Sequence, residues 1–408
     1  MKNFISFLLI FILTLGCLAG CSEEKAAGTT AEPTLSEEDQ AILAARRDTA
    51  EAYMRQMATI MWRAGEDVDY YIGKGELHIK AGRLYRGIPY AYAAGSDTVF
   101  LSFSGGQDEK GVHQISGLTT DLMGSNGENL YRVGNDCSGA LVMAWSQVGN
   151  SFASKNTRYM VPNHGYLRVG QYVSSDEDNK LSANMCKENG PLVMYEAYTQ
   201  LQKADAVVRR DASAGHVMMI TSVHVERNQK GNVDGNASYV TVLHQTRKYL
   251  ASEAKAFDEA YGEDVYQTYG IDDKLTFFEL FNDGYLPITC LEFIDPSCTA
   301  EEATMADSIA SPTIEDLYKG EFISNQIISM VEITVTDEEG NQVQYARAFG
   351  DRHSFRNFQM TEFVDYPTRI VGGLDMEALK PGTYTFTYDA TLSTGTKFTP
   401  RSFTYTVE

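Results

Sequence analysis

Asn135-Asp136-Cys137-Ser138-Gly139-Ala140-Leu141-Val142-Met143-Ala144-Trp145 sets a cysteine directly before an unbroken apolar run. The run reads as the opening turns of a buried helix, which puts Cys137 at a helix N-terminus. Unpaired backbone N–H groups and the positive end of the helix dipole there favour a thiolate over a thiol. Asp136 or Asn135 is placed to cap the helix, and Gly139 lets another backbone or a small molecule approach the sulfur. Taken alone, the segment is equally a small apolar core cysteine of the ordinary kind. The two readings separate on whether the chain also supplies a base for the thiol proton and a third group to hold that base.

Two of the seven histidines stand in matching settings. Gly215-His216-Val217-Met218-Met219-Ile220-Thr221-Ser222-Val223 begins with a histidine and runs into a β-prone apolar stretch, whereas Tyr239-Val240-Thr241-Val242-Leu243-His244-Gln245-Thr246 carries one near its end. Residues 228–236 between them are turn material, so the two runs form an antiparallel hairpin in which the start of one strand faces the end of the other. His216 and His244 are then neighbours, and paired imidazoles can divide the work of accepting a proton and orienting the acceptor. His78, His113, His164, His224 and His353 read as structural or solvated, with His164 in Pro162-Asn163-His164-Gly165 the one placed on a loop near a cleft.

The first residues indicate where such a cysteine would work. Met1-Lys2-Asn3 is a short positive start, residues 4–18 are almost continuously apolar, and Leu18-Ala19-Gly20-Cys21 closes the run with small residues. A stretch this short, followed by Ser22-Glu23-Glu24-Lys25, reads as an export signal and not as a spanning helix. Leu-Ala-Gly-Cys resembles the bacterial lipoprotein signal. That resemblance implies a signal peptide over residues 1–20, a lipid on Cys21, and an extracytoplasmic protein anchored to the bacterial cell membrane through that lipid. Residues 21–36 then read as a flexible tether. Ile42, Leu43, Ala50, Tyr53, Met54, Met57, Ile60 and Met61 recur at helical spacing, predicting helix from 37 to about 65 inside an N-terminal segment over 37–75.

The net charge of −21 argues against nucleic acid as a partner, because phosphate binding needs clustered Lys and Arg. No CxxC pair or Cys/His grid of metal spacing occurs, so neither a structural zinc nor another metal or cofactor is expected. Cys290 and Cys298 are close enough in sequence for a local disulfide in an oxidising exterior, a pairing the sequence leaves open.

Arg86-Gly87-Ile88-Pro89-Tyr90, Asp136-Cys137-Ser138-Gly139, the strand-like Lys203-Ala204-Asp205-Ala206-Val207, Gly215-His216-Val217 and Val242-Leu243-His244 follow one another in an order that resembles the NlpC/P60 cell-wall cysteine peptidases. The resemblance spans roughly residues 77–295. It implies an α+β, papain-like catalytic domain over 76–298, with the cysteine-bearing helix on an antiparallel sheet. It also implies cleavage of peptidoglycan stem peptides, commonly at the bond between D-glutamate and the diamino acid. Carried over, Cys137 is the nucleophile, His216 the general base and His244 the orienting residue. Tyr90 lines the site and helps hold the oxyanion, and Asp136 and Ser138 flank the substrate. Two alternatives remain: an amidase or acyltransferase using the same triad, and a catalytically silent lipoprotein that binds wall fragments. The chain departs from the family in the long stretches 91–134 and 150–190, which read equally as functional loops or surface decoration. It departs also in Ala204, which stands where the family's strand has glycine before the aspartate.

Downstream, residues 253–280 read as an acidic helix with Phe257, Tyr261, Val265, Tyr266 and Tyr269 on its buried face, and residues 284–293 as a final strand. A small, polar stretch marks a linker over 299–323. Beyond it, Met330-Val331-Glu332-Ile333-Thr334-Val335-Thr336, residues 342–349, 381–388 and 401–407 all alternate apolar with polar residues. Residues 324–408 are therefore expected to form an immunoglobulin-like β-sandwich.

Overall fold

Ser36 opens helix α1 (Glu37–Thr59): its hydroxyl accepts the Asp39 N–H at 3.1 Å, and Glu37, Glu38 and Asp39 sit at the positive end of the dipole. This computed structural model describes residues 35–408 except 73–74, 92–94, 119–132, 153–156, 163–165, 176, 178–179, 213–214, 247–254, 299–300, 310–316, 351–354 and 366–369. The expected signal peptide, Cys21, nearly all of the tether, His164 and His353 lie outside those residues. Among the described residues no helix is long and apolar enough to cross a membrane.

Helix α1 stops at Thr59, six residues before the predicted end, and strand β1 (Met61–Ala64) follows. Trp62 accounts for the change: its indole donates to the Gly87 carbonyl at 2.8 Å and its ring stacks on Tyr85 at 4.6 Å. Those contacts need an extended backbone, and they outweigh a helical periodicity that was weak by then. The predicted 75/76 boundary falls in a hairpin of β2 (Val68–Ile72) and β3 (Gly75–Ile79). Then come β4 (Leu84–Arg86), the short α2 (Asp97–Leu101), β5 (Ser104–Gln107) and β6 (His113–Ile115).

The central layer starts with α3 (Cys137–Trp145), all nine residues of which are buried. After it come β7 (Leu167–Arg168), α4 (Ser182–Asn189), α5 (Pro191–Tyr198), β8 (Ala206–Arg210), β9 (Gly215–His224) and β10 (Tyr239–Gln245). The layer is completed by β13 (Tyr269–Thr276), α6 (Phe277–Asn282) and β14 (Leu286–Thr289), which follow two strands that leave it, β11 (Lys255–Asp258) and β12 (Glu263–Gln267). A six-stranded sheet in the order β13-β10-β9-β8-β14-β7 results, with every neighbouring pair antiparallel. Helix α3 packs across β9 and β10 and is backed by α1. A helix apolar on every side has to be central. Trp145 shows this directly, with rings of Phe152, Tyr166 and Phe293 around it and its indole donating to the Ala204 carbonyl at 2.9 Å.

The described part of the acidic stretch predicted as helix is instead β11, β12 and β13, with only its end, from Phe277, helical as the start of α6. Gly262, at φ +73, turns the chain after Tyr261, so β12 lies parallel to β4 and Arg63 pairs with Glu263 at 2.7 Å. The spacing of aromatic residues matched a helical face only because a turn fell between two strands. A second six-stranded sheet, β11-β12-β4-β1-β6-β5, is thereby assembled from segments some two hundred residues apart in sequence. The described part of stretch 91–134 supplies α2, β5 and β6, and that of 150–190 supplies β7 and α4. Both are built into the layers rather than laid over them.

The last sheet comprises β15 (Met305–Asp307), β16 (Glu321–Thr336), β17 (Gln342–Phe349), β18 (Phe355–Gln359), β19 (Ile370–Gly373), β20 (Gly382–Leu392) and β21 (Lys397–Val407), with a short α7 (Glu362–Asp365). Two of these strands begin inside the predicted linker. The register of β16 breaks between Ile323 and Ile328, so its first half pairs with β15 and β18 and its second half with β17 and β20. This unit sits on the central layer: Phe103 packs on Phe349 at 5.7 Å, and Gln147 donates to the Ser393 carbonyl at 3.0 Å.

Helix α1 is fixed by a buried ion pair. Arg47 Nη1 meets Asp205 Oδ1 at 2.7 Å, with side chains 7% and 2% exposed, and Asp205 also accepts from Thr289 Oγ1 at 2.6 Å and the Gln202 N–H at 2.8 Å. Ala204, just before it, is fully buried and holds φ +67, a left-handed conformation that favours glycine. Removing one partner of a buried pair strands the other. Asp205→Ala is expected to lower the unfolding free energy by about 3–5 kcal/mol in urea denaturation; a loss below about 1 kcal/mol would show that the pair is not what holds α1.

Candidate active site

Asp136, and not Asn135, caps α3. Its Oδ1 accepts the Gly139 N–H and the Ser138 hydroxyl, both at 2.7 Å. Asn135 is fully buried and structural: its Oδ1 accepts from the Tyr269 hydroxyl at 2.9 Å and its Nδ2 donates to the Gly95 carbonyl at 3.2 Å. The tyrosine segment runs beside this turn, with the Asn135 N–H donating to the Pro89 carbonyl at 3.2 Å and the Ala91 N–H to the Asn135 carbonyl at 3.1 Å. Gly134 permits the approach: at φ +144, a Cβ there would lie 2.1 Å from the Pro89 oxygen. Half-buried Tyr90 is thus held alongside the residues leading into Cys137. Asp136 and Ser138 are buried and bonded to each other at the start of the helix.

Cys137 is 7% exposed, with its sulfur facing the backbone N–H of Val217, the residue after His216. His216 Nε2 lies 2.7 Å from His244 Nδ1, with the rings nearly perpendicular at 73°. The hairpin inferred from sequence brings these imidazoles together, and α3 packs on the same two strands. A third partner was not foreseen. His244 Nε2 lies 3.1 Å from Asp273 Oδ2 on β13. The line His216, His244, Asp273 therefore crosses the sheet from β9 to β13, beginning one residue from the Val217 N–H that faces the Cys137 sulfur. Asp273 lies in the stretch whose aromatic spacing predicts helix; strand alternation through residues 269–276 is the signal that places it opposite β10.

The electrostatics correct one expectation. Burial pushes the Cys137 thiol up to about 12, helped by the Asp136 carboxylate, and the backbone N–H groups of Val217, Ser138 and Cys137 only partly offset this. Burial, with His244 and Arg209 nearby, pushes His216 down to about 3. At neutral pH the closed site therefore holds a thiol and a neutral imidazole. The helix dipole is real, but desolvating a charge this deep costs more than a helix end returns. A thiol in this state can act as a nucleophile only with a general base that takes its proton as the sulfur attacks. Tyr285 and Arg209 also stand by: Arg209 lies 5.6 Å above the Tyr285 ring, and burial raises the Tyr285 phenol while Arg209 partly offsets it.

The remaining candidates fall away from this line. His224, exposed at the end of β9, pairs with Glu226 at 3.0 Å, and His113 lies 3.0 Å from the Ser104 hydroxyl. Cys186, Cys290 and Cys298 are free thiols, so the disulfide considered between the last two is not formed. Among the described residues no group of His, Cys, Asp and Glu has the arrangement of a metal site. No family model matches the chain, and no curated protein is significantly similar to it.

Two outcomes test this electrostatic picture. Alkylation of Cys137 by iodoacetamide, followed by peptide mass spectrometry, is expected to climb with pH without levelling off below about pH 9; a plateau reaching down to about pH 6 would show a pre-formed thiolate. His216 is neutral in the fold, with its value lowered to about 3 against about 6.5 unfolded. Its contribution to stability is whole above about pH 6.5 and is lost as pH falls toward 3, by up to about 1.4 kcal/mol per pH unit. His216→Gln is expected to flatten that slope by one proton, and an unchanged slope in denaturation across this range would refute it.

Proposed function

We propose that the chain is an extracytoplasmic, lipid-anchored thiol peptidase of the NlpC/P60 type that hydrolyses amide bonds in peptidoglycan stem peptides, at the bond between D-glutamate and the diamino acid. The observation that carries the reading is the 2.7 Å contact between His216 and His244 on the two strands against which the Cys137 helix packs. A nucleophile at a helix mouth, a base beside it and an orienting group behind the base are the parts an acyl-transfer site needs. In this reading residues 76–298 form a papain-like domain, supported by a helix on an antiparallel sheet. Residues 324–408 form an immunoglobulin-like β-sandwich, supported by alternating strands around a core of Val331, Ile333, Phe386 and Tyr388. The anchor rests on Leu18-Ala19-Gly20-Cys21.

Cys137 Sγ attacks the scissile carbonyl while its proton passes to His216. The tetrahedral oxygen is met by the Cys137 N–H at the start of α3. Collapse breaks the C–N bond, the amine leaves with the proton from His216, and a thioester remains. Water, deprotonated by His216, then releases the acid and restores the thiol. Tyr90, held beside the nucleophile's turn, lines the substrate side. Cys137→Ala is expected to abolish muropeptide cleavage, read by mass spectrometry of the products, with fold and melting temperature kept. Hydrolysis that survives the substitution would remove Cys137 from the chemistry. Cleavage by neither form would favour a wall-fragment binder.

A further inference from the structure

Strand β10 has a bulge on each side. On β9, Thr241 pairs with Ser222 but Val242 pairs with Ile220, leaving Thr221 extra; on β13, Val242 pairs with Asp273 but Leu243 pairs with Ile271, leaving Asp272 extra. Asp272 holds φ +56, a left-handed conformation that Asp tolerates better than most residues. It is pinned there by Arg55 of α1, which grips both its oxygens at 3.0 Å, and by the Thr221 hydroxyl at 2.9 Å. An extra residue shifts every later side chain on a strand to the other face. Asp273 is thereby moved to the face that carries His244.

The space for its carboxylate comes from Gly270, the residue opposite His244. A Cβ at Gly270 would lie 2.2 Å from Asp273 Oδ2 and 2.3 Å from His244 Nε2. A bulge, an arginine clamp and a missing side chain thus converge on a single contact, His244 Nε2 to Asp273 Oδ2 at 3.1 Å. We infer that Asp273 is a positioning residue that sets the tautomer of both histidines. This rests on the thiol-peptidase reading above.

The argument is one of lone pairs. An ionised carboxylate only accepts, so His244 carries its proton on Nε2 and donates it to Asp273. With its single proton on Nε2, His244 offers a lone pair on Nδ1, and the contact to His216 Nε2 is made when His216 donates. His216 keeps its own lone pair on Nδ1, the nitrogen not engaged with His244, and in the proposed reaction that lone pair takes the Cys137 proton. With the carboxylate gone, His244 is free to protonate on Nδ1 and donate to His216 Nε2. His216 would then hold its proton on Nδ1 and could not act as a base toward sulfur. A charge two residues removed from the thiol thus decides whether the base has an acceptor at all.

The test is a long-range 1H–15N spectrum of the uniformly 15N-labelled protein at neutral pH, which reports the tautomer of each ring without turnover. Wild type is expected to show both His216 and His244 protonated at Nε2, and Asp273→Asn to move His244 wholly or partly to the Nδ1–H form. Wild-type His244 protonated at Nδ1 would overturn the inference without any variant, as would unchanged tautomers in Asp273→Asn. In muropeptide assays Asp273→Asn is expected to lower kcat by about 10- to 100-fold with KM little changed, and Asp273→Glu, which keeps the charge, to retain more of the rate. Equal losses in the two variants would count against a charge-based role. If wild type cleaves no muropeptide, the proposed reaction fails while the spectrum still decides what Asp273 does.

Discussion

The register of β10 is the constraint on which the site depends. Backbone hydrogen bonding on both sides holds this strand, and the bulges at Thr221 and Asp272 decide which side chains share the face of His244. Because strand side chains alternate with a period of two, a slip of one residue would turn His244 away from His216 and Asp273 away from His244 together. The register is therefore locked from outside the sheet. Arg55 reaches from α1 to Asp272, and the buried Arg47–Asp205 pair holds the same helix near β8. A helix that contributes no reacting group keeps the reacting groups aligned.

Depth governs the chemistry as much as proximity. The helix mouth offers Cys137 several N–H groups, yet the sulfur is enclosed by α3, β9 and their neighbours, and desolvation raises the thiol while lowering His216. A neutral thiol and a neutral imidazole form a resting pair that costs little to bury. Such a pair becomes reactive only when the proton moves as the bond to carbon forms. Direction of proton flow then matters more than the resting charge on sulfur, which is why the hydrogen-bond sense across His216, His244 and Asp273 carries weight.

The long connections are structural partners of the site. The described part of stretch 91–134 contributes α2 and two strands of a sheet that also takes β11 and β12 from between β10 and β13. That excursion joins the small sheet to the central one, and Ser102 and Phe103 at the end of α2 touch Arg347 and Phe349 of the C-terminal sheet. The three larger sheets are consequently in contact through these residues and through Gln147 on Ser393.

Much of the site was legible in the sequence. A cysteine before an all-apolar run, and two β-prone runs each carrying a histidine at one end and joined by turn residues, specify a buried helix start and a hairpin through short-range rules alone. The end of α1 and the strands at 255–276 were not legible, because Trp62 and the Gly262 turn act through partners far away in sequence. Asp273 was missed for the same reason. Its role comes from a bulge, a clamp and a glycine lying opposite, and none of these has a local signature. The sequence by itself determined which residue types are present and which short segments carry them. The tertiary structure alone decided the depth that keeps Cys137 protonated and the register that brings a carboxylate to His244, because solvation and cross-strand alignment are properties of what surrounds a residue and not of the residue's own neighbours in the chain.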